Sequence, residues 1–122
     1  MANDIYFGYH LILDCKAARK DLIKDPKYIV TFTELLVESI KMKAYGKPII
    51  ENFAHDNPKT GGITLVQLIE TSNITCHFVE LTGDMYWDIF SCMEFNPEIA
   101  INLIDEYFKP IHIKKTFMNR QA

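Results

Sequence analysis

Two neighbouring stretches organise this chain: Thr71-Ser72-Asn73-Ile74-Thr75-Cys76-His77 and, after a turn, Asp88-Ile89-Phe90-Ser91-Cys92. They carry a hydroxyl, an imidazole and a thiol on segments whose composition predicts adjacent β-strands. His77 follows Ser72 by five residues, and Cys92 follows it by twenty. The longer separation suits a chain that runs along one strand, turns and returns along the next. We therefore expect a hairpin to bring the three side chains within reach of one small molecule.

Length and composition bound the class of protein. The chain has 122 residues, of which 48% are hydrophobic, so we expect a single domain, 1–122, around one core. A net charge of −3 gives no electrostatic footprint for nucleic acid, and no apolar run is long enough for a membrane span. The first residues lack a secretory signal, and three cysteines without CxxC spacing argue against disulfides and a zinc site. We expect a reduced, cytoplasmic protein that binds no metal.

The sequence on either side of these stretches predicts further strands and two helices. Hydrophobic alternation and turn residues predict strands at 5–15, 49–55, 63–70, 74–81, 85–92 and 111–118. Apolar residues at helical spacing predict a helix over 28–43, after a connection that Pro26 ends. Asn96 as the cap and Pro97 as the first residue open a second helix. Residues 56–62 are the strongest turn signal and the expected flexible loop.

The predicted order of elements, β-α-β-β-β-α-β, indicates an α/β (α+β) fold. We expect a two-layer sandwich with an antiparallel-rich sheet and helices on one face. Two helices cover only one face of so wide a sheet, and the other face also carries Ile, Leu, Phe and Trp. That second face is therefore expected to pack against another surface. A second copy of the same chain is the simplest candidate, so we expect a homodimer formed through the sheet.

Spaced residues across most of the chain form one pattern: Gly8-x-His10-Leu11, Gly62-x-Thr64, and Ser72 with His77 and Cys92. In this pattern, and in its order of elements over residues 6–112, the chain resembles the small prokaryotic S-adenosylmethionine decarboxylases. The resemblance implies an enzyme without an added cofactor, which makes a pyruvoyl group from an internal serine by breaking its own chain. It also implies a two-layer protomer that dimerises through its sheet.

The resemblance implies a role for each residue around the serine. Ser72 attacks the carbonyl of Thr71 and exchanges the amide bond for an ester. His77 then takes the Cα proton of the serine, and β-elimination cuts the chain. The products are a β chain, 1–71, and an α chain, 72–122, which begins with the pyruvoyl group.

Two further roles follow from the resemblance, and the residue types suit them. Thr64 stands where the family has a serine whose hydroxyl supports the rearrangement, and Cys92 donates the proton that replaces carbon dioxide. A neutral hydroxyl is a weak nucleophile that needs a base and a positioned carbonyl, and histidine exchanges protons near neutral pH. Decarboxylation leaves electrons on Cα, which a Schiff base conjugated to a carbonyl holds, as pyridoxal phosphate does elsewhere. The chain lacks a lysine-rich phosphate site, so we expect the self-made carbonyl and no pyridoxal phosphate.

The chain departs from the family pattern in three places. Thr71 replaces the usual glutamate before the serine, and Asn73 replaces the usual histidine after it. Phe78-Val79-Glu80 stands where Thr-Trp-Pro-Glu is usual, so the usual tryptophan is missing. The family stacks adenine between aromatic rings, and we expect the adenosine to be contacted instead by rings and a carboxylate from among Phe53, Phe78, Trp87 and Glu80.

The predicted activity is decarboxylation of S-adenosylmethionine to the aminopropyl donor of spermidine and polyamine biosynthesis. One alternative is the same pyruvoyl mechanism acting on arginine or ornithine. Another is an unprocessed homologue that binds a ligand or a partner and regulates without catalysis. A plain α/β interaction module is the remaining alternative.

Three polar residues near the pattern are expected to be structural. Cys76 alternates away from His77 along one strand, so we expect it to pack in the core. His10 is expected to hydrogen-bond to the backbone at the start of its strand. Asp88 is expected to tie down a loop or a helix end.

Overall fold

The computed structural model describes residues 5–122; the expectation about a secretory signal concerns residues 1–4 and lies outside this range. In chain order the elements are β1 (Gly8–Lys16), α1 (Lys20–Ile23), α2 (Pro26–Ser39), β2 (Ile49–Phe53), β3 (Gly62–Ile69), β4 (Ser72–Phe78), β5 (Met85–Ser91), α3 (Pro97–Phe108) and β6 (His112–Arg120). The strands form one sheet in the order β2-β3-β4-β5-β1-β6, and each neighbouring pair is antiparallel. The helices pack on one face, which confirms the predicted two-layer α+β fold.

The long helix α2 begins earlier and ends earlier than the sequence pattern predicted. The Asp25 carboxylate accepts hydrogen bonds from two backbone N–H groups of the first turn, at 3.1 and 3.2 Å. Pro26 therefore opens the helix instead of ending the connection, because its fixed φ and missing N–H suit the first helical position. The helix ends at Ser39, and Lys41 turns the chain away with a left-handed φ of 61°.

The last helix, α3, begins where its local signals predicted. The Asn96 side chain accepts a hydrogen bond from the backbone N–H of Glu98 at 3.0 Å, and Pro97 is the first helical residue. Lys109 ends the helix with a φ of 52°. Among residues 5–122, no helix combines the length and the apolar character that a bilayer crossing requires.

An aromatic cluster fills the space between the sheet and the helices. Phe78 of β4 and Trp87 of β5 meet Phe32 of α2 and Phe108 of α3, with ring centroids 4.9–6.1 Å apart. All four rings are buried. Because aromatic side chains of this size dominate core energetics, the cluster holds both helices against the sheet.

Two residues, Glu70 and Thr71, close the hairpin between β3 and β4. Ile69 pairs with Ser72 across this turn, so β4 begins at Ser72 and not at the predicted residue 74. β4 pairs on its other side with β5, which places Ser72 opposite Ser91. The peptide bond before Ser72 therefore lies where the chain leaves a tight turn and enters the interior of the sheet.

The face of the sheet away from the helices, here called the open face, is uncovered and carries large apolar side chains. Five of them are between 38 and 51% exposed: Ile49, Phe53, Leu68, Tyr86 and Met118. Exposed large apolar side chains on an uncovered sheet face are typical of a surface that packs against a partner.

Candidate active site

Thr64 and His77 form a hydrogen-bonded pair on the open face. They lie opposite each other on β3 and β4, and His77 Nδ1 is 2.7 Å from Thr64 Oγ1. His77 Nε2 is 2.9 Å from the carbonyl oxygen of Thr60. Because a carbonyl only accepts, Nε2 carries the proton of the neutral ring, and Nδ1 accepts from the Thr64 hydroxyl. The basic nitrogen of His77 is therefore directed at a hydroxyl, the arrangement that a proton relay requires.

Gly62 allows β3 and β4 to approach each other beside this pair. Its φ is 146°, and a Cβ there would lie 1.9 Å from the carbonyl oxygen of Phe78. Any other residue would push the start of β3 away from the end of β4. The Gly62-x-Thr64 pattern thus has a structural reason, since the glycine permits the contact that sets Thr64 against His77.

A cavity of about 710 Å³ opens beside His77. Its other walls include Phe53, Thr60, Leu81 and Tyr86. The volume lies in the range of pockets that hold small-molecule ligands. The side chains of Phe53 and Tyr86 are 50% and 45% exposed, so both rings are open to contact with a flat aromatic ligand.

The end of β5 holds the backbone around the Thr71–Ser72 peptide bond. The N–H of Cys92 donates to the carbonyl oxygen of Thr71 at 3.0 Å. The side-chain amide of Asn73 donates to the Ser72 hydroxyl at 3.0 Å. An N–H directed at a carbonyl oxygen stabilises the negative charge that forms there when a nucleophile attacks the carbon. This site can therefore assist attack on the Thr71 carbonyl by the hydroxyl of the next residue.

Ser72 and His77 lie at opposite ends of β4. At about 3.3 Å of rise per residue, their Cα atoms are about 17 Å apart, and strand alternation directs their side chains to opposite faces. The structure brings Thr64 to His77 and Cys92 to Thr71, but it does not bring His77 to Ser72. The expectation that one hairpin gathers hydroxyl, imidazole and thiol is therefore wrong for a single chain, because β4 is a regular strand from end to end.

Of the residues predicted to contact a substrate, the structure places some near the cavity and others in the core. Phe53 lines the cavity beside the imidazole, and Glu80 is half-buried in the turn after β4. Phe78 and Trp87 are fully buried beneath the helices, so the structure does not support contact between these two rings and a ligand. Tyr86 was not among the four residues predicted to contact the substrate, yet it lines the cavity. The alternation along β5 that buries Trp87 is the signal that directs Tyr86 to the open face.

His10 joins three strands on the open face. Its Nε2 is 3.0 Å from Asp88 Oδ1, and the guanidinium of Arg120 donates to its Nδ1 at 3.1 Å. The guanidinium also lies 5.1 Å from the centroid of the Phe90 ring. The partners of His10 and Asp88 are therefore side chains on neighbouring strands, and the expectations of a backbone partner and of a loop or helix tie are wrong. Cross-strand partners of this kind depend on register, which the sequence pattern did not resolve.

The three thiols have different environments. Burial raises the pKa of Cys15 from an ordinary 9.0 to about 12, with added repulsion from Asp14. Burial also raises the pKa of Cys76 well above the ordinary value, in agreement with a packing role. Cys92 is free and only partly buried. Among the described residues, no group of three or more His, Cys, Asp or Glu side chains is arranged to hold a metal ion.

This chain matches known sequences of one protein family. The family model described as S-adenosylmethionine decarboxylase matches residues 9–121. Proteins named S-adenosylmethionine decarboxylase proenzyme from two type A strains of Clostridium botulinum are 27% identical to this chain over 113 residues. The aligned part covers 90% of this chain and 92% of each relative.

Comparison with solved structures gives the same fold. The crystal structure of the adenosylmethionine decarboxylase from Aquifex aeolicus superposes with a TM-score of 0.78 at 22% sequence identity. The match covers 96% of this chain and 92% of that one. The sheet order and the helical layer are therefore those of a known architecture.

The cysteine environments generate a prediction about thiol reactivity. At pH 8 we expect iodoacetamide to label Cys92 in the native protein and to leave Cys15 and Cys76 unmodified, because burial keeps the latter two thiols protonated. Peptide mass spectrometry of the native and urea-unfolded protein measures this, and all three should react after unfolding. The neutral Cys15 thiol also contributes stability that is fully present below its ordinary pKa of 9.0 and is lost as pH rises towards its folded-state pKa of about 12. Labelling of Cys76 as fast as Cys92 in the folded protein would contradict the buried environment.

Proposed function

The chain belongs to the S-adenosylmethionine decarboxylase family, and we propose that it is a proenzyme that cuts itself before Ser72 and then decarboxylates S-adenosylmethionine. The observation that carries this proposal is the hydrogen bond from the Cys92 N–H to the Thr71 carbonyl oxygen. It places the backbone of Cys92, the residue whose thiol is the proposed proton donor, beside the bond to be cut, and it supplies a hydrogen-bond donor at the oxygen where charge develops. The product is the aminopropyl donor for spermidine and other polyamines.

The first step of self-processing moves an acyl group from nitrogen to oxygen. The Ser72 hydroxyl attacks the carbonyl carbon of Thr71, the C–N bond breaks, and an ester forms with a free amine on residue 72. The hydroxyl loses its proton and the leaving nitrogen gains one. The Cys92 N–H stabilises the oxygen while it carries negative charge.

The second step breaks the ester. A base removes the Cα proton of Ser72. The bond between the Cβ of residue 72 and the ester oxygen then breaks, and Thr71 leaves as a carboxylate. The new N-terminus takes up one water and releases one ammonia, which yields the pyruvoyl group. His77 is suited to the base role because its Nδ1 accepts from the Thr64 hydroxyl, which can pass the proton on.

A pyruvoyl group at position 72 would supply an electron-withdrawing carbonyl for the electrons left when carbon dioxide departs. The residues of this chain suit such a group at position 72. Residue 72 heads the second fragment, and the partly buried thiol of Cys92 belongs to the residue that touches the turn. Cys92 then donates the proton that replaces carbon dioxide on the product.

We propose that the protein acts as a homodimer, because a single chain keeps the serine to be converted far from the histidine that serves as the base. Ser72 and His77 lie at opposite ends of β4, and the apolar open face needs a cover. Suppose that a second copy packs on this face about a twofold axis that is perpendicular to the strands. β4 of one chain then runs antiparallel to β4 of the other. This arrangement sets the Thr64–His77 pair of one chain over the Ser72 end of the other. Each active site would then be built from both chains.

The cavity beside His77 supports an adenosyl substrate. It is largely apolar, and the exposed rings of Phe53 and Tyr86 suit stacking on adenine and attraction of a sulfonium cation. The guanidinium of arginine is planar and can also lie on an aromatic ring, but it is much smaller than adenine, and the ammonium of ornithine has no planar group for the rings to contact. We therefore favour S-adenosylmethionine over a basic amino acid.

Self-cleavage at one bond is the first test. Denaturing mass spectrometry of the wild-type protein should give two fragments, 1–71 and 72–122, the second blocked against N-terminal sequencing. Ser72→Ala should remain a single chain of 14.2 kDa, because a methyl group cannot attack a carbonyl. A wild-type chain that stays intact on prolonged incubation would instead support an unprocessed regulatory homologue.

A mixing experiment tests the shared site. Ser72→Ala and His77→Ala proteins should each stay uncut when produced alone. When they are produced together, the His77→Ala chain should be cut, because the histidine that takes the Cα proton of its Ser72 comes from the other chain. Mass spectrometry with a tag on one chain identifies which is cut. Co-production of His77→Ala with the double variant Ser72→Ala, His77→Ala is the control and should give no cut; an uncut His77→Ala chain in the first mixture excludes the shared site.

Substrate choice is measured by release of carbon dioxide from each candidate. We expect release from S-adenosylmethionine and none from arginine or ornithine. Phe53→Ala should raise KM for S-adenosylmethionine about tenfold, since loss of a stacked ring removes about 1–1.5 kcal/mol of binding. The exposed Ile49→Ala, on the same strand but outside the cavity, is the matched control. Faster release from a basic amino acid would establish the alternative substrate.

A further inference from the structure

The residue before the proposed scissile bond is held by its side chain as well as by its carbonyl. Thr71 Oγ1 is 2.7 Å from Ser91 Oγ and 3.3 Å from the sulfur of Met42. Ser91 is fully buried, and its hydroxyl oxygen accepts from the N–H of Met93 at 2.9 Å. We infer that the hydroxyls of Thr71 and Ser91 are positioning groups for self-processing, which hold the Thr71 carbonyl for attack by Ser72. This inference rests on the proposed function.

The hydrogen bonds in this group run in one consistent direction. The Met93 N–H donates to Ser91 Oγ, the Ser91 hydroxyl donates to Thr71 Oγ1, and the Thr71 hydroxyl donates to Met42 Sδ. Either hydroxyl can donate in the central contact, and Ser91 Oγ also lies 3.7 Å from Met42 Sδ, but the shorter distance of 3.3 Å from Thr71 Oγ1 to that sulfur favours this direction. Each hydroxyl then donates once and accepts once. A fully satisfied chain of this kind restricts both side chains to one rotamer.

The end of β5 therefore forms two hydrogen bonds with Thr71. The Ser91 hydroxyl is hydrogen-bonded to the Thr71 hydroxyl, and the N–H of Cys92 donates to the Thr71 carbonyl oxygen at 3.0 Å. Two anchors on either side of the Thr71 Cα define the orientation of the peptide group that Ser72 must attack. Displacements of even 1 Å slow such intramolecular reactions strongly. Because neither hydroxyl touches a reacting atom, their role is positioning and not catalytic.

The segment after α2 supports the turn from its other side. The N–H of Glu70 donates to the carbonyl oxygen of Lys43 at 2.9 Å, and the N–H of Tyr45 donates to that of Leu68 at 2.8 Å. Residues 42–45 therefore run alongside the turn. The sulfur of Met42 is thereby held where the Thr71 hydroxyl can use it as an acceptor.

Position 71 is also one of the places where this chain departs from its family pattern. An ionised glutamate, the usual residue there, only accepts hydrogen bonds and cannot donate to a thioether. The short Thr71 hydroxyl does both, and Ser91 and Met42 supply the matching partners. The three residues thus form one hydrogen-bonded arrangement that a glutamate at position 71 could not reproduce.

Cell-free synthesis of the full chain allows self-cleavage to be timed by denaturing mass spectrometry. Thr71→Val keeps the shape of the side chain and removes the hydroxyl. We expect it to be cut about tenfold more slowly, the size of effect expected from one lost hydrogen bond at a reacting group. Thr71→Ser keeps the hydroxyl and should be cut at close to the wild-type rate. Ser91→Ala should slow cleavage similarly, and the double variant Thr71→Val, Ser91→Ala should be no slower than either single variant, because the two hydroxyls act as a unit.

Two measurements separate positioning from a general loss of stability. Thr33→Val removes another fully buried hydroxyl, which bonds to the Ile29 carbonyl oxygen at 2.7 Å in α2, and it should leave the cleavage rate unchanged. Hydroxylamine, which cuts esters, reports which step is slowed. Thr71→Val should accumulate little ester because the first step is slow, whereas His77→Ala should accumulate ester that hydroxylamine then cuts.

Each outcome decides the inference. A Thr71→Val chain cut as fast as the wild type overturns it, and so does a Thr71→Ser chain as slow as Thr71→Val. Equal slowing by Thr33→Val would assign the effect to stability and would also overturn it. If the wild type itself is never cut, the proposed function fails; if the wild type is cut and the Thr71 variants behave alike, only the positioning role fails.

Discussion

The two-residue turn at Glu70 and Thr71 is the constraint on which the rest of the sheet depends. It pairs Ile69 with Ser72 and so sets the phase of β4, the strand that carries both Ser72 and His77. Because side chains alternate strictly along a strand, a slip of one residue would move His77 into the core and Cys76 to the open face. The aromatic cluster under the helices and the Thr64–His77 pair on the other face both require the observed phase. Fold and candidate site are thus determined by the same turn.

The local features of this fold were predictable because they depend on a few adjacent residues. Asn96 and Pro97 predict the start of α3 from a cap and a fixed φ, and the structure agrees. Pro26 was interpreted wrongly because a proline ends one kind of segment and opens another, and only the neighbouring Asp25 cap distinguishes the two. The end of α2 was also predicted wrongly. Lys41 has a left-handed φ there, and a lysine gives no indication of such a bend in the way that a glycine or an asparagine would.

The features that depend on register could not be read from the sequence. The partners of His10 are Asp88 and Arg120, far away in the chain, and no spacing rule connects them. The spacing of Ser72, His77 and Cys92 identified the pattern, but it did not reveal that a regular strand keeps the first two apart. Phe78 and Trp87 looked suitable for adenine because they are aromatic, whereas alternation makes them core residues.

The position of the proposed scissile bond within the sheet would have a consequence for a processed protein. Ser72 begins an interior strand whose backbone is paired on both sides, with β3 and with β5. Scission there would remove the backbone nitrogen of residue 72, which leaves as ammonia, and would keep the ladder hydrogen bonds of the residues that follow it while breaking the covalent link between two halves of one core. Assembly would then change from a first-order process to a second-order one, and the stability of the mature protein would depend on its concentration. Such a molecule folds once, as a precursor, and afterwards is preserved chiefly by the slowness of its dissociation.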